Sequence, residues 1–249
     1  MTKSSTTTRS ALTARDLEFA QWMAKWRAVQ RDQLQREFDR RDGRTRRKEV
    51  YERRLRALRA AQLVEWDTPL GRPGVHWLTQ NGMKFAGVPG TPARWSHAEL
   101  VHDLAVIDLA HHLQDLQPAH TVVTEQEIRR AEPGPGTGPG ARLRADLELG
   151  VGRAKGGRAY PDLASIGPDR SGVERTWLHE YERTQKGRQR LVTIMLAYIY
   201  ARHVDGVAYW VPPELVAPTQ AAADEANDKG EREGFRRCIT VRPWQSSPS

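Results

Sequence analysis

One cysteine, Cys238, stands in a chain of 249 residues. A lone cysteine excludes an internal disulfide, and without companion thiolates it excludes a structural zinc site, so Cys238 is expected to be a small buried residue. No apolar run approaches the length needed to cross a bilayer, and the opening stretch MTKSSTTTRS lacks the apolar segment of a secretory signal. No membrane partner is expected, and the location is read as cytoplasmic. Nucleotide-cofactor signatures are missing too. AEPGPGTGPGA (131–141) lacks dinucleotide-fingerprint spacing, its prolines would interrupt a helix start, and it reads as a flexible connection; GVGRAKGG (150–157) lacks the Gly-Lys-Ser/Thr ending of a P-loop. His97, His102, His111 and His112 lie close in sequence, yet none has the i, i+4 partner on its own face that a helical zinc pair needs. No internal repeat stands out.

What is present is positive charge in one place. The chain carries 39 Lys and Arg against 31 Asp and Glu, a net charge of +8. Residues 1–96 hold 20 basic against 10 acidic side chains, and residues 97–249 hold 19 against 21. A localised basic excess is the electrostatic footprint of nucleic-acid binding. The apolar share, 38 %, is adequate for ordinary cores.

Composition divides the chain. Residues 1–10 read as a disordered tail, 11–88 as a first domain, 89–96 (within GVPGTPARWS) as a linker, 97–244 as a second domain and 245–249 as a tail. In the first domain Thr13 is placed to cap a helix whose Leu17, Ala20, Met23 and Ala24 share a face flanked by Trp22 and Trp26. QRDQLQREFD follows as a short helix with Leu34 and Phe38 four apart. RTRRKEVYERRLRALRAAQ is a third helix, with Tyr51, Leu55 and Leu58 inward and Arg46, Arg47, Arg53, Arg54, Arg56 and Arg59 left for solvent. LVEW and VHWLT then read as strands joined by DTPLGRPG, a hairpin tip bearing Arg72, before a last short helix over TQNGMKFAG. Three helices and a two-stranded hairpin make a winged helix-turn-helix arrangement: the third helix would enter the major groove of double-stranded DNA and Arg72 on the wing would reach the backbone. Arginine suits both tasks, since its planar fork pairs with phosphate or with guanine. The plainer account is a solvated helix face in which Glu49 and Glu52 pair with Arg53 and Arg56.

The second domain opens with SHAELVHDLAVIDLAHHLQDL, where Ser96 and Glu99 form a capping box and Leu100, Leu104, Ile107 and His111 share a face. Strand-like runs HTVVTE, ADLELG, YPDLASI and RTWLHEYE follow, then the helix RQRLVTIMLAYIYARH, the strand GVAYWVP, a polar helix over AADEANDKGEREGF and the strand CITVRPW. The order is that of an α/β (α+β) domain, a sheet covered by helices. If YPDLASI and TWLHEYE form a hairpin symmetric about Ser171, Asp162 lies opposite Glu180, and alternation puts Glu182 on the same face as Glu180, with His179 and Tyr181 on the other. Three carboxylates gathered this way imply a divalent cation, a shared proton or an arginine partner. Mg²⁺, which favours oxygen ligands and keeps several waters, would suit phosphodiester hydrolysis.

A winged helix, then a helix with HDLAVIDLAHHL, then PD, then a strand with HEYER followed by a helix, resembles the replication-relaxation family of actinobacterial plasmids and mobile elements, over roughly residues 12–215. The resemblance implies a role in plasmid replication, relaxation or mobilisation, and a C-terminal restriction-endonuclease-like fold of the PD-(D/E)xK type, a mixed sheet flanked by helices. It also implies Asp162 and Glu180 as metal-binding acids, Glu99 as an additional acid, and Mg²⁺ or Mn²⁺ as cofactor if the site is active. The chain departs from the pattern where the lysine should stand: position 182 is Glu182, so Lys186 becomes the replacement beside the other catalytic candidates. Two functions of different class follow. One is a DNA-binding accessory or regulatory protein, nucleoid- or plasmid-associated, acting with replication or conjugation proteins. The other is a Mg²⁺- or Mn²⁺-dependent DNA endonuclease. An RNA-processing role fits the charge, but the A-form major groove is too narrow for a reading helix. A homodimer with Trp22, Trp26 and Trp95 at its interface competes with the commoner fate of such tryptophans, the core.

Overall fold

The computed structural model describes residues 12–71, 73–92, 94–131, 145–147, 157–201 and 204–245, with 145–147 and 157–158 as backbone alone. The N-terminal tail, all but the first residue of the C-terminal one, most of the glycine-proline stretch 131–141 and of GVGRAKGG, and Arg72 lie outside the described residues. The chain divides into two compact units, Met1–Leu104 and Ala105–Ser249.

The N-terminal unit runs α1 (Ala14–Met23), β1 (Val29–Gln30), α2 (Arg31–Asp42), α3 (Lys48–Ala60), β2 (Val64–Asp67), β3 (Val75–Leu78) and α4 (Gln80–Phe85). Thr13 caps α1 through a capping box with Asp16, which fixes where the helix begins. Its buried face is Asp16, Phe19, Ala20, Trp22 and Met23, so the stripe is rotated from the expected one and Leu17 is only half-buried. The reason is Asp16: an acid at an inward position, which apolar periodicity assigns to solvent, is held there by Arg54 at 3.2 Å. Leu34 and Phe38 of α2 and Tyr51, Leu55 and Leu58 of α3 complete the core as their spacing predicts. Trp22 belongs to this core, packed against Trp26 and Phe38, and Trp95 packs on Trp77 at 5.4 Å. β1, too short to announce itself in the sequence, joins the hairpin β2–β3 in an antiparallel sheet of order β1-β3-β2.

The helix α5 (His97–Leu116) begins after the expected linker, and the unit division falls inside it. Its first turns belong with the N-terminal unit, where Gln33 donates to the Leu104 carbonyl at 2.8 Å and Arg27 pairs with Glu99 at 3.4 Å.

The C-terminal unit continues with β4 (Thr121–Thr124), α6 (Glu125–Arg130), β5 (Ala145–Leu147), β6 (Gly157–Ala159), β7 (Leu163–Pro168), β8 (Glu174–Tyr181), α7 (Arg188–Tyr200), β9 (Gly206–Val211), a 3-10 turn (Pro213–Leu215), α8 (Val216–Arg232) and β10 (Ile239–Pro243). Five strands form one mixed sheet of order β10-β9-β8-β7-β4. β4, β7 and β8 are antiparallel neighbours, whereas β8, β9 and β10 run parallel. Parallel neighbours need crossovers, and α7 and α8 supply them, packing on one face around Leu178, Tyr198, Val207, Met195 and Ala226. The protein is thus mixed α/β, with a five-stranded sheet flanked by helices.

The hairpin β7–β8 sets the geometry of the acids. Asp169 closes its turn by accepting from the Ser171 and Val173 amides and from Arg175 Nε, and Gly172 takes the left-handed φ of 81° that the turn requires. Leu163 pairs with His179 and Ala164 with Leu178, the register of a hairpin symmetric about Ser171. At the far end Gly206 lies where any side chain would collide with the Trp177 ring at 2.4 Å, so only glycine lets β9 approach β8 there.

Candidate functional site

Two groups of side chains carry chemistry, one in each unit. In the N-terminal unit α3 turns Tyr51, Leu55 and Leu58 inward, and the opposite face carries Glu49, Glu52, Arg53 and Arg56, all exposed. The exposed Arg47 stands at its N-cap. Glu49 and Glu52 sit four residues before Arg53 and Arg56, the favourable order for helical ion pairs, yet neither pair forms among the described residues. Arg47, Arg53 and Arg56 therefore present their guanidiniums to solvent.

Three other expected members of this surface are engaged within the protein, which corrects their reading as solvent-facing. Arg54 points inward to Asp16, a carboxylate with 0 % exposure that needs a cationic partner. Arg46 pairs with Asp42 at 2.8 Å. Arg59 stacks over the Trp66 ring at 4.9 Å.

In the C-terminal unit the hairpin register, continued one residue past Leu163 and His179, sets Asp162 opposite Glu180. Asp162 Oδ2 accepts from the Tyr181 amide at 2.7 Å, and its backbone carbonyl accepts from the Glu125 amide at 3.0 Å, so the loop before β7 is clamped from both sides. Alternation places Glu180 on the α7–α8 face with Leu178, where Tyr198 of α7 donates a short hydrogen bond to its Oε1. Glu182 follows β8, holds the ladder by donating its amide to the Trp210 carbonyl at 3.0 Å, and exposes only 6 % of its surface. Lys186, in the loop before α7, pairs with Glu182 at 2.5 Å. Asp162, Glu180, Glu182 and Lys186 are thus brought together, as the sequence predicts.

Electrostatics at this cluster are dominated by burial. Loss of solvent, and then the negative charge of Asp162, push the Glu180 carboxyl well above the usual range; Tyr198 and Lys186 oppose the shift. Tyr198 and Tyr209 are likewise raised well above an ordinary phenol, by burial and by Glu180.

Glu99 lies in the N-terminal unit, where it caps α5 by accepting from the Ser96 amide at 2.8 Å and faces Arg27. Among the described residues no group of three His, Cys, Asp or Glu side chains is arranged to hold a metal. The chemistry of the remaining donors does fit Mg²⁺ or Mn²⁺: Asp162 and Glu180 are oxygen ligands, and Mg²⁺ is commonly held by one or two carboxylates with waters and phosphates completing its shell.

Sequence reasoning missed Tyr198 and Tyr209 as members of the acidic site. Their signal was there, two tyrosines inside the apolar runs LVTIMLAYIY and GVAYWV, where a buried hydroxyl needs a polar neighbour. On the opposite face of the sheet lies a further buried chain. Trp210 Nε1 donates to His179 Nδ1 at 3.1 Å, and Ser165 Oγ lies 2.9 Å from His179 Nε2. Because indole can only donate, the ring proton sits on Nε2, and this histidine cannot accept a proton from Ser165. Burial lowers the His179 pKa to about 3, and the arrangement is a satisfied core histidine rather than a nucleophile and its base.

No family model, curated protein or solved structure matches the chain. Among the described residues no helix is long and apolar enough to cross a membrane.

Proposed function

We propose that the protein binds duplex DNA as an accessory or regulatory factor in the replication, relaxation or transfer of a plasmid or mobile element. The observation that carries this reading is the outer face of α3. Arg47, Arg53 and Arg56 stand exposed and without ion pairs among the described residues, although Glu49 and Glu52 are spaced to neutralise two of them. Charges left unneutralised on a helix whose other face is locked into a core form a phosphate- and guanine-directed surface. The order of three helices and an antiparallel hairpin supports a winged helix, in which α3 is the groove-entering element. The acidic cluster, with Glu182 in place of the motif's lysine, supports a nuclease-like domain that has lost or reduced its cutting activity.

Fluorescence anisotropy over a salt series tests this. Wild type is expected to bind duplex DNA with an affinity that falls steeply as salt rises, and replacing Arg47, Arg53 and Arg56 together by Ala should lower affinity at least tenfold, flattening the salt slope by about one unit per lost phosphate contact. Unchanged affinity in the triple variant sinks the reading.

A second reading, a Mg²⁺- or Mn²⁺-dependent endonuclease, is favoured by the convergence of Asp162, Glu180, Glu182 and Lys186. The ion would activate a water and offset charge on the scissile phosphate; Asp162 and Glu180 would hold it and Lys186 would lie beside them. Calorimetric uptake of either metal and nicking of plasmid DNA, both abolished in Asp162→Ala, would establish it. Absence of uptake and of nicking would leave the cluster as a scaffold.

A further inference from the structure

Between α3 and the hairpin β2–β3 runs a groove of about 560 Å³, with Arg31, Arg56, Arg59, Trp66 and His76 among its walls. None of the three arginines makes an ion pair among the described residues, and Glu52 is the sole acid among the described residues that line the groove. Like charges gathered around one concavity repel, and an anion in the groove relieves that repulsion.

The second observation is aromatic. Trp66 leaves 50 % of its surface exposed, while His76, its cross-strand partner, exposes 7 %. The two rings lie 6.3 Å apart and 25° from parallel, with the Arg59 guanidinium over the indole. A large ring held open on a polar surface, backed by a guanidinium and an imidazole, is a stacking platform. His76 Nδ1 has no partner among the described residues, so a buried polar atom beside the platform is left unmatched.

A ligand that offers a flat aromatic face and a phosphate together is a nucleotide. Inside a duplex both faces of every base are already stacked, so only an unpaired base can present one. We infer that this groove takes an unpaired nucleotide of a DNA strand, its base stacked on Trp66 and its phosphate between Arg31 and Arg56. The protein would then prefer a junction of duplex and single strand to plain duplex. The duplex half of that preference rests on the reading of α3 given above; the groove itself does not.

The test uses the full chain and three labelled probes: a blunt duplex, the same duplex with a short single-stranded extension, and an oligothymidine. Wild type should bind the extended duplex on the order of tenfold more tightly than the blunt one, the worth of stacking one base. Trp66→Tyr keeps most of that preference, and Trp66→Ala removes it with blunt-duplex affinity unchanged. Equal affinity of wild type for the two duplexes overturns the groove and leaves the duplex reading standing. An equal loss on all probes in both Trp66 variants also overturns it, since Trp66 would then be a structural residue only. Failure to bind either duplex, with oligothymidine bound by wild type and released in Trp66→Ala, supports the groove and sinks the duplex reading. Binding of no probe overturns both.

Discussion

The interiors of the two units answer their buried carboxylates in different ways. In the N-terminal unit the buried acids Asp16 and Glu37 are met by cations. Asp16 has Arg54, and Glu37, despite burial, is held below the usual carboxylate range by Arg40 and Arg41. In the C-terminal unit burial favours the neutral forms of four groups: Glu180, Tyr198 and Tyr209 are raised and His179 is lowered, in each case chiefly by loss of solvent. The difference follows from where the arginines are. The first unit has cations enough to answer its buried acids and still leave several for solvent; the second faces the carboxylates of its acidic site with Lys186 and two phenols.

The largest expected effect is in acid. His179 is neutral in the folded chain down to pH about 3, while an unfolded histidine charges near 6.5, so the unfolded state binds the extra proton in between. Stability present above the unfolded value is then lost as pH falls, at about 1.4 kcal/mol per unit from this group. Urea melts across that window should show the loss, and His179→Phe should flatten it. Next, Asp16→Ala, which strands Arg54 and removes the α1 cap, should cost about 3 kcal/mol in the same assay. A cost near zero would mean that the N-terminal interior is not held by its ion pairs.

Smaller and of opposite sign, Glu180→Gln should stabilise the C-terminal unit by about 1 kcal/mol near neutral pH, since a neutral isostere escapes the burial penalty. The folded carboxyl titrates above the unfolded one, so wild type is penalised progressively as pH rises above the ordinary glutamate range. Thermal melts should therefore show the two proteins converging in acid and separating with rising pH; a constant gap would contradict the raised pKa. Smallest, Arg53→Ala and Arg56→Ala should each change stability by less than about 0.5 kcal/mol, because both are exposed and make no ion pair among the described residues. That result, beside the cost at Asp16, would separate arginines that hold the fold from arginines that face outward.

Much of this was legible in the sequence where the signal is local. Tyr51, Leu55 and Leu58 recur at helical spacing and bury as expected, and the symmetry of the turn about Ser171 was enough to set Asp162 opposite Glu180. The helix α6 could have been found, since Thr124 and Glu127 form a capping box, but six residues give no apolar period to read. The inward turn of Arg54 was not legible, because its partner Asp16 lies 38 residues away and only packing brings them together. Nor was the strand order. Parallel pairing is non-local, and its one hint was GVAYWV, apolar throughout because β9 is a central strand buried on both faces.

The sheet also implies an order of assembly. β7 and β8 are joined by a turn of a few residues with its own hydrogen bonds, so that hairpin can close early. β4 pairs Thr124 with Leu163, roughly 40 positions further on, and must first meet a much larger loop-closure entropy. The Asp162 carbonyl accepts from the first residue after β4, Glu125, so the acidic site is completed only when that late strand docks. A chain emerging from the ribosome would present the basic unit first, and its carboxylate site last.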